Sequence, residues 1–230
     1  MSRKFKTNVS DRHLNLCGWF YDKNPSYFKD APKLKFCEEL QLQKFLFFYE
    51  MLSVMDEDKD ADLTYLRGYT HGPVFSEVFG ALKNDTSFLY KIKTIYKENS
   101  ENIDEDRAKI SYFFTQIMPT KELSAFTHNF NIWSSKKDRI KVKEKNVPLN
   151  IEDFNKEDKD ILQSLKNAYS IDFINSVEII TEGKKCFLVY KEDMPYLTNE
   201  HRKVLKKLSR NKELENPVYV GLENGVLLID

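Results

Sequence analysis

Leu40-Gln41-Leu42-Gln43-Lys44-Phe45-Leu46-Phe47-Phe48-Tyr49-Glu50-Met51-Leu52, residues 40–52, is the stretch on which the fold turns. Its apolar side chains recur mainly at spacings of three and four. Phe45, Phe48, Tyr49 and Leu52 make one stripe, which the adjacent Leu42, Leu46 and Phe47 widen. The spacing predicts a helix over 33–55. A helix this apolar must be covered by other elements, so it is expected at the centre of the body.

On its N-terminal side, Trp19, Phe20, Tyr21, Tyr27 and Phe28 form an aromatic-rich lead, expected as a helix or an arm packed on the main body. Asp30-Ala31-Pro32 reads as a turn and helix start. On the C-terminal side, Asp56–Asp62 is a charged break. It lacks the mid-loop Gly and the terminal Glu of a calcium loop, and is expected to be solvated. Residues 63–70 read as a short strand or extended approach, and Gly72-Pro73 as a corner. A helical pattern resumes from Val74 to Leu82, with Pro73 in the first turn, where its missing N–H costs nothing. Ile110, Phe113, Phe114 and Ile117 mark a further helix ended by Pro119, and a short helix starts at Lys121. The basic stretch 134–145 is expected to be exposed, and 152–174 to be an amphipathic helix. Val177–Tyr190 reads as a hairpin turning near Gly183. A Lys-rich helix follows from Thr198 to about Lys212, and a second hairpin turns at Glu223-Asn224-Gly225. The expected fold is mainly α, with small β-hairpins in the C-terminal part, α+β overall. Its divisions are an aromatic N-terminal extension (1–32), a helical domain (33–150) and a C-terminal helix and hairpin extension on the same body (151–230).

The 230 residues carry 36 Lys+Arg and 36 Asp+Glu, a zero balance that argues against general binding to nucleic acid or anionic membrane. Cys17, Cys37 and Cys186 are odd in number, widely spaced and without CxxC, so they are expected as free, mostly buried thiols in a reducing cytosol. No run approaches a membrane span and no apolar segment follows the basic start, which makes the expected location cytoplasmic.

His13, His71, His128 and His201 are isolated, and HExxH, GxSxG, GxGxxG and GxxxxGK[ST] are all missing. The expectation is a protein that is not an enzyme and uses no cofactor or metal. A site assembled in space is the open alternative.

Two constellations stand out. Around Tyr65–Phe79, Gly72 and Pro73 build a rigid corner. It is either a plain helix-entry turn or a preformed ridge on which Tyr69, His71 and Phe75 meet a partner. Leu123-Ser124-Ala125-Phe126-Thr127-His128 with Trp133 is either a packing corner or part of the same surface. The basic stretches 136–143 and 202–210 read as solvated faces, with phosphate contact as the alternative.

These segments resemble the Panacea domain family. Leu42-Gln43-Lys44-Phe45-Leu46-Phe47-Phe48-Tyr49 is similar to its LQKLLYY helix. Tyr69-Thr70-His71-Gly72-Pro73-Val74-Phe75-Ser76-Glu77-Val78-Phe79 is similar to its WxxGPVxxxVY motif, with Tyr69 as the aromatic. Leu123–His128 with Trp133 is similar to its LSxxTHxxxPW motif, with Ile132 in place of the Pro. The resemblance implies a mainly helical domain of bacteria and prophages that serves as the antitoxin of a toxin-antitoxin system by protein binding. The cognate toxins are varied, some of them similar to alarmone synthetases. On that reading the partner-binding residues are Tyr69, His71, Gly72, Pro73, Phe75, Glu77, His128 and Trp133. A phage or prophage regulator of a host protein, a nucleic-acid-binding regulator and a hydrolase with a non-local site are the alternatives.

Overall fold

The computed structural model describes residues 9–27 and 34–230. The expected turn at Asp30-Ala31-Pro32 and the boundary at 32/33 lie outside the described residues. The chain is mainly helical with two small sheets, an α+β fold.

Helix α1 (Asp11–Lys23) opens behind Ser10, whose hydroxyl accepts from His13 N. It buries Leu14, Leu16, Cys17, Trp19 and Phe20 in the main core. The aromatic lead is thus, over 11–23, a helix packed on the main body. Helix α2 (Phe36–Met55) is buried on every side from Leu42 to Ser53, as its sequence predicts. Trp19 stacks on Phe45, centroids 5.3 Å apart, and Phe48 meets Phe114 and Phe130 edge-on.

After α2 the chain does not run straight into a helix. Strand β1 (Leu66–Tyr69) turns at Thr70-His71 into strand β2 (Gly72–Phe75), and α3 (Ser76–Asn84) begins only there. Pro73 is therefore a strand residue opposite Gly68, not the first helical turn. Strand β2 is the sheet edge, where a residue without an N–H breaks no ladder on its outer side. Helices α4 (Phe88–Asn99), α5 (Glu105–Gln116), α6 (Thr120–Thr127) and the short α7 (Asn131–Ser134) and α8 (Lys137–Lys141) follow. Strand β3 (Val147–Pro148) returns to pair with β1, completing a three-stranded sheet. The 134–145 stretch is largely exposed as expected, apart from the buried Ile140.

The amphipathic stretch 152–174 divides into α9 (Lys156–Ala168) and α10 (Ile171–Ser176), because Ser170 accepts from Phe173 N and starts a new helix. Asp158 is buried in α9 and accepts from the backbone N–H groups of Asn131 and Ile132, tying α9 to the start of α7. The two C-terminal hairpins form as their turn residues predict: β4 (Val177–Glu182) with β5 (Lys185–Tyr190), and β6 (Val218–Glu223) with β7 (Val226–Ile229). Helix α11 (Asn199–Leu208), capped by Thr198, crosses between them, so β5 and β6 pair in parallel and a sheet of order β4-β5-β6-β7 results.

Candidate functional site

The three motif segments converge on the β1–β2 hairpin. From α2, Gln43 reads the backbone of Phe75 in both directions. Its Oε1 accepts from Phe75 N at 2.8 Å and its Nε2 donates to Phe75 O at 3.5 Å. One residue on, Lys44 Nζ donates to Pro73 O at 2.9 Å. On the other strand, Trp133 Nε1 donates to Tyr69 O at 3.0 Å. Gly72 has φ +98°, and its position has no room for a side chain: a Cβ there would lie 2.5 Å from both Lys44 Nζ and Thr127 Oγ1. Thr70 and His71 form a two-residue turn, closed by the pairing of Tyr69 with Gly72. Side chains from α2, α6 and α7 thus close around four backbone points of one tight turn.

Electrostatics follow from burial. Lys44 is 1% exposed and no carboxylate among the described residues pairs with it, so burial pushes its ammonium well below the ordinary lysine range. His128 lies flat on Trp133, centroids 3.9 Å apart and planes 18° from parallel. Burial lowers His128 to about 4, which keeps its ring neutral at pH 7. The expected partner residues consequently separate. His71 is exposed, and Tyr69 and His128 are half-buried, while Gly72, Pro73, Phe75, Glu77 and Trp133 are buried. Phe75 is fully enclosed and Glu77 turns inward to His13, so both support the corner and neither lies on a free surface. Trp133 likewise acts from within, through Tyr69 O.

Beside the hairpin lies a cleft of about 390 Å³ whose walls are mostly apolar. Leu40 and Val74 line it, and Tyr69, His71, Phe36 and Phe79 rim it. Phe36 is 59% exposed and meets the His71 ring edge-on at 5.2 Å. Lys83 Nζ sits 3.5 Å over the Phe79 ring and 3.9 Å from Glu39. Lys44 also borders the cleft. Sequence reasoning named Tyr69 and His71 here. Phe36 and Phe79 were less legible, because their exposure depends on where α2 and α3 cross the hairpin.

A second set of charges was missed altogether. His13 is buried between two carboxylates: Nδ1 is 2.8 Å from Glu77 Oε1, and Nε2 is 3.3 Å from Glu50 Oε1, an ion-pair contact without hydrogen-bond alignment. Burial opposes its charge, yet the two carboxylates prevail and raise His13 to about 9. Arg12 binds Glu50 through Nε at 2.7 Å and Nη2 at 3.1 Å. Asp58, from the stretch expected to be solvated, is pinned by Arg12 at 3.3 Å and Arg107 at 2.7 Å. The readable signal was a Lys and a Glu inside an otherwise apolar helix, since buried charges demand partners.

Among the described residues no group of three or more His, Cys, Asp or Glu is disposed to hold a metal ion, and no helix is long and apolar enough to cross a membrane. Cys17 and Cys186 are buried free thiols, while Cys37 is exposed. Comparison with family models, with curated proteins and with solved structures finds no match to this chain.

Proposed function

We propose that this chain is an antitoxin that neutralises a toxin by direct protein–protein binding, and that an apolar side chain of the toxin docks in the cleft beside the β1–β2 hairpin. The supporting observation is the pairing of that cleft with a turn clamped from three helices. A surface that is already rigid loses little conformational entropy on binding, so aromatic groups on it are effective anchors. Phe36, Tyr69, His71 and Phe79 are the contact residues of this reading. Gly72, Pro73, Phe75, Gln43 and Lys44 hold them in position. The antitoxin assignment itself rests on the three-motif resemblance, whose segments the fold brings together around one turn.

Co-expression with the product of the adjacent reading frame tests it. Growth arrest by that product is expected to be relieved, and a complex to be recovered by pull-down. Phe36→Asp and His71→Asp, both at exposed positions, are expected to abolish rescue while leaving the thermal unfolding midpoint in place. A neighbour that permits normal growth and forms no complex would sink the proposal.

A further inference from the structure

The two basic stretches of the chain are treated differently by the fold. In the first, carboxylates answer the cations: Lys136 pairs with Asp153 at 2.7 Å, and Arg139 pairs with Glu144. In the second, α11 presents Arg202, Lys203, Lys206 and Lys207, all exposed. Lys203 pairs with Glu200 at 2.7 Å, but Arg202, Lys206 and Lys207 have no ion pair among the described residues. At 3.6 residues per turn, the four cations fall within an arc of about 140°. The opposite side of the helix is fixed to the sheet. Leu205 is buried with Val218 and Val220, Leu208 packs against them, and His201 Nε2 lies 3.1 Å from Gly225 O. The cations therefore form a ridge that faces solvent. Arg210, whose N–H donates to Lys207 O at 3.1 Å, continues it past the end of the helix. The exposed Lys184 lies beside that end, because a Cβ on Gly183 would sit 3.5 Å from Ser209 Oγ.

A ridge of one sign is unfavourable in the free protein. Arg202 with Lys206 and Lys203 with Lys207 are like charges four residues apart, which weakens a helix. The macrodipole favours Lys206 and Lys207 in the last turn, but not Arg202 and Lys203 nearer its start. On α9 the exposed charges mix signs instead, with Lys156, Glu157, Lys159 and Asp160. Solvation is met by either pattern, whereas a polyanion needs the first. Shape then narrows the polyanion. The ridge is convex and fans its charges to both sides. The major groove of duplex DNA, about 12 Å wide, admits a helix about 10–12 Å across and offers phosphates on both walls, while that of duplex RNA is too narrow. An anionic membrane would require apolar side chains to insert, and α11 spends its leucines on the sheet.

We propose that α11 docks in the major groove of duplex DNA and that Arg202, Lys203, Lys206, Lys207 and Arg210 hold its phosphates, without sequence preference. The ridge is separate from the hairpin cleft, so the proposal stands whether or not that cleft binds a toxin.

The probe is a fluorescent DNA duplex of mixed sequence, about 20 base pairs long, titrated with the full chain by anisotropy between roughly 50 and 200 mM salt. The expected Kd is about 1–100 μM at the low end, with a slope of log K against log salt of about −4, as four to five phosphate contacts imply. Arg202→Gln combined with Lys206→Gln and Arg210→Gln is expected to make that slope shallower by about 3 and to weaken binding by about tenfold or more. These positions are exposed and the change relieves like-charge pairs, so the unfolding midpoint should not fall. If the triple variant does not fold, Lys206→Gln alone decides, with a slope shallower by about 1. Lys137→Gln with Lys141→Gln and Lys145→Gln, in the other basic stretch, should change neither affinity nor slope. Polyglutamate and vesicles containing phosphatidylserine should bind about tenfold more weakly than the duplex, or less. Absence of salt-dependent DNA binding, an unchanged slope in the α11 variants, an equal loss in the control variant, or equal binding of polyglutamate or vesicles would each overturn the proposal.

Discussion

At Gly72 two constraints act on one atom that is not there. The φ of +98° disfavours any L side chain, and an added Cβ would press on Lys44 Nζ and Thr127 Oγ1 at 2.5 Å. Lys44 is the end of a flexible chain, but it is buried and held by Pro73 O, so it has nowhere to go. Gly72→Ala is expected to cost about 2–5 kcal/mol, combining roughly 1–2 for the left-handed backbone with roughly 1–3 for overpacking. Gly225 provides the control: its φ is +77° with nothing within 4 Å of the added Cβ, so Gly225→Ala should lose only the backbone part, about 1–2 kcal/mol. Urea unfolding of both variants measures the difference, and equal losses would mean that the clamp is loose. The turn at Gly72-Pro73 was legible because Gly and Pro mark turns by their own backbone chemistry. Its clamp was not, because Lys44 lies 29 residues away and sequence does not say which carbonyl a buried amine will find.

Between elements, His13 joins α1 to α2 through Glu50 and to α3 through Glu77. Its folded-state value of about 9 lies above the ordinary 6.5, so it contributes stability that is fully present below about pH 6.5. That contribution is lost as pH rises through about 9, because the unfolded chain then no longer binds the proton that the fold requires. The loss is bounded at about 3 kcal/mol by the size of the shift. His13→Gln should be less stable at pH 6 and should lack this decline. Chemical denaturation of both proteins at pH 6, 7.5 and 9 isolates the histidine from other titrating groups; parallel curves would show that His13 is not charged in the fold. Element boundaries were partly legible for related reasons. Pro73 satisfies the local rule for a helix start, but pairing with β1 keeps residues 72–75 extended and delays α3 to Ser76. The apolar stripe of 152–174 runs on through Phe173, so periodicity hides the break that Ser170 makes.

At the scale of the whole molecule, β5 faces two cores. Leu188 packs into the main core, while Phe187 and Val189 on the opposite face join Leu205, Val218 and Val220 in a smaller one under α11. Each C-terminal hairpin was readable from its own turn. Their parallel junction was not, because it depends on the α11 crossover and no local pattern encodes a non-local pairing. The smaller core has few buried side chains, and units with few apolar contacts open below the global unfolding free energy. Amides of α11, β6 and β7 are therefore expected to exchange through a partial opening that leaves α2 closed. Ile92, wholly buried in the main core, separates the two processes. Ile92→Val should lower the exchange free energy of α2 amides by about 1 kcal/mol and leave those of α11, β6 and β7 unmoved. Leu205→Ala should lower both sets, since global unfolding includes the smaller core. Native-state hydrogen exchange in low denaturant reads both variants, and a uniform fall across all amides in Ile92→Val would make the molecule one cooperative unit.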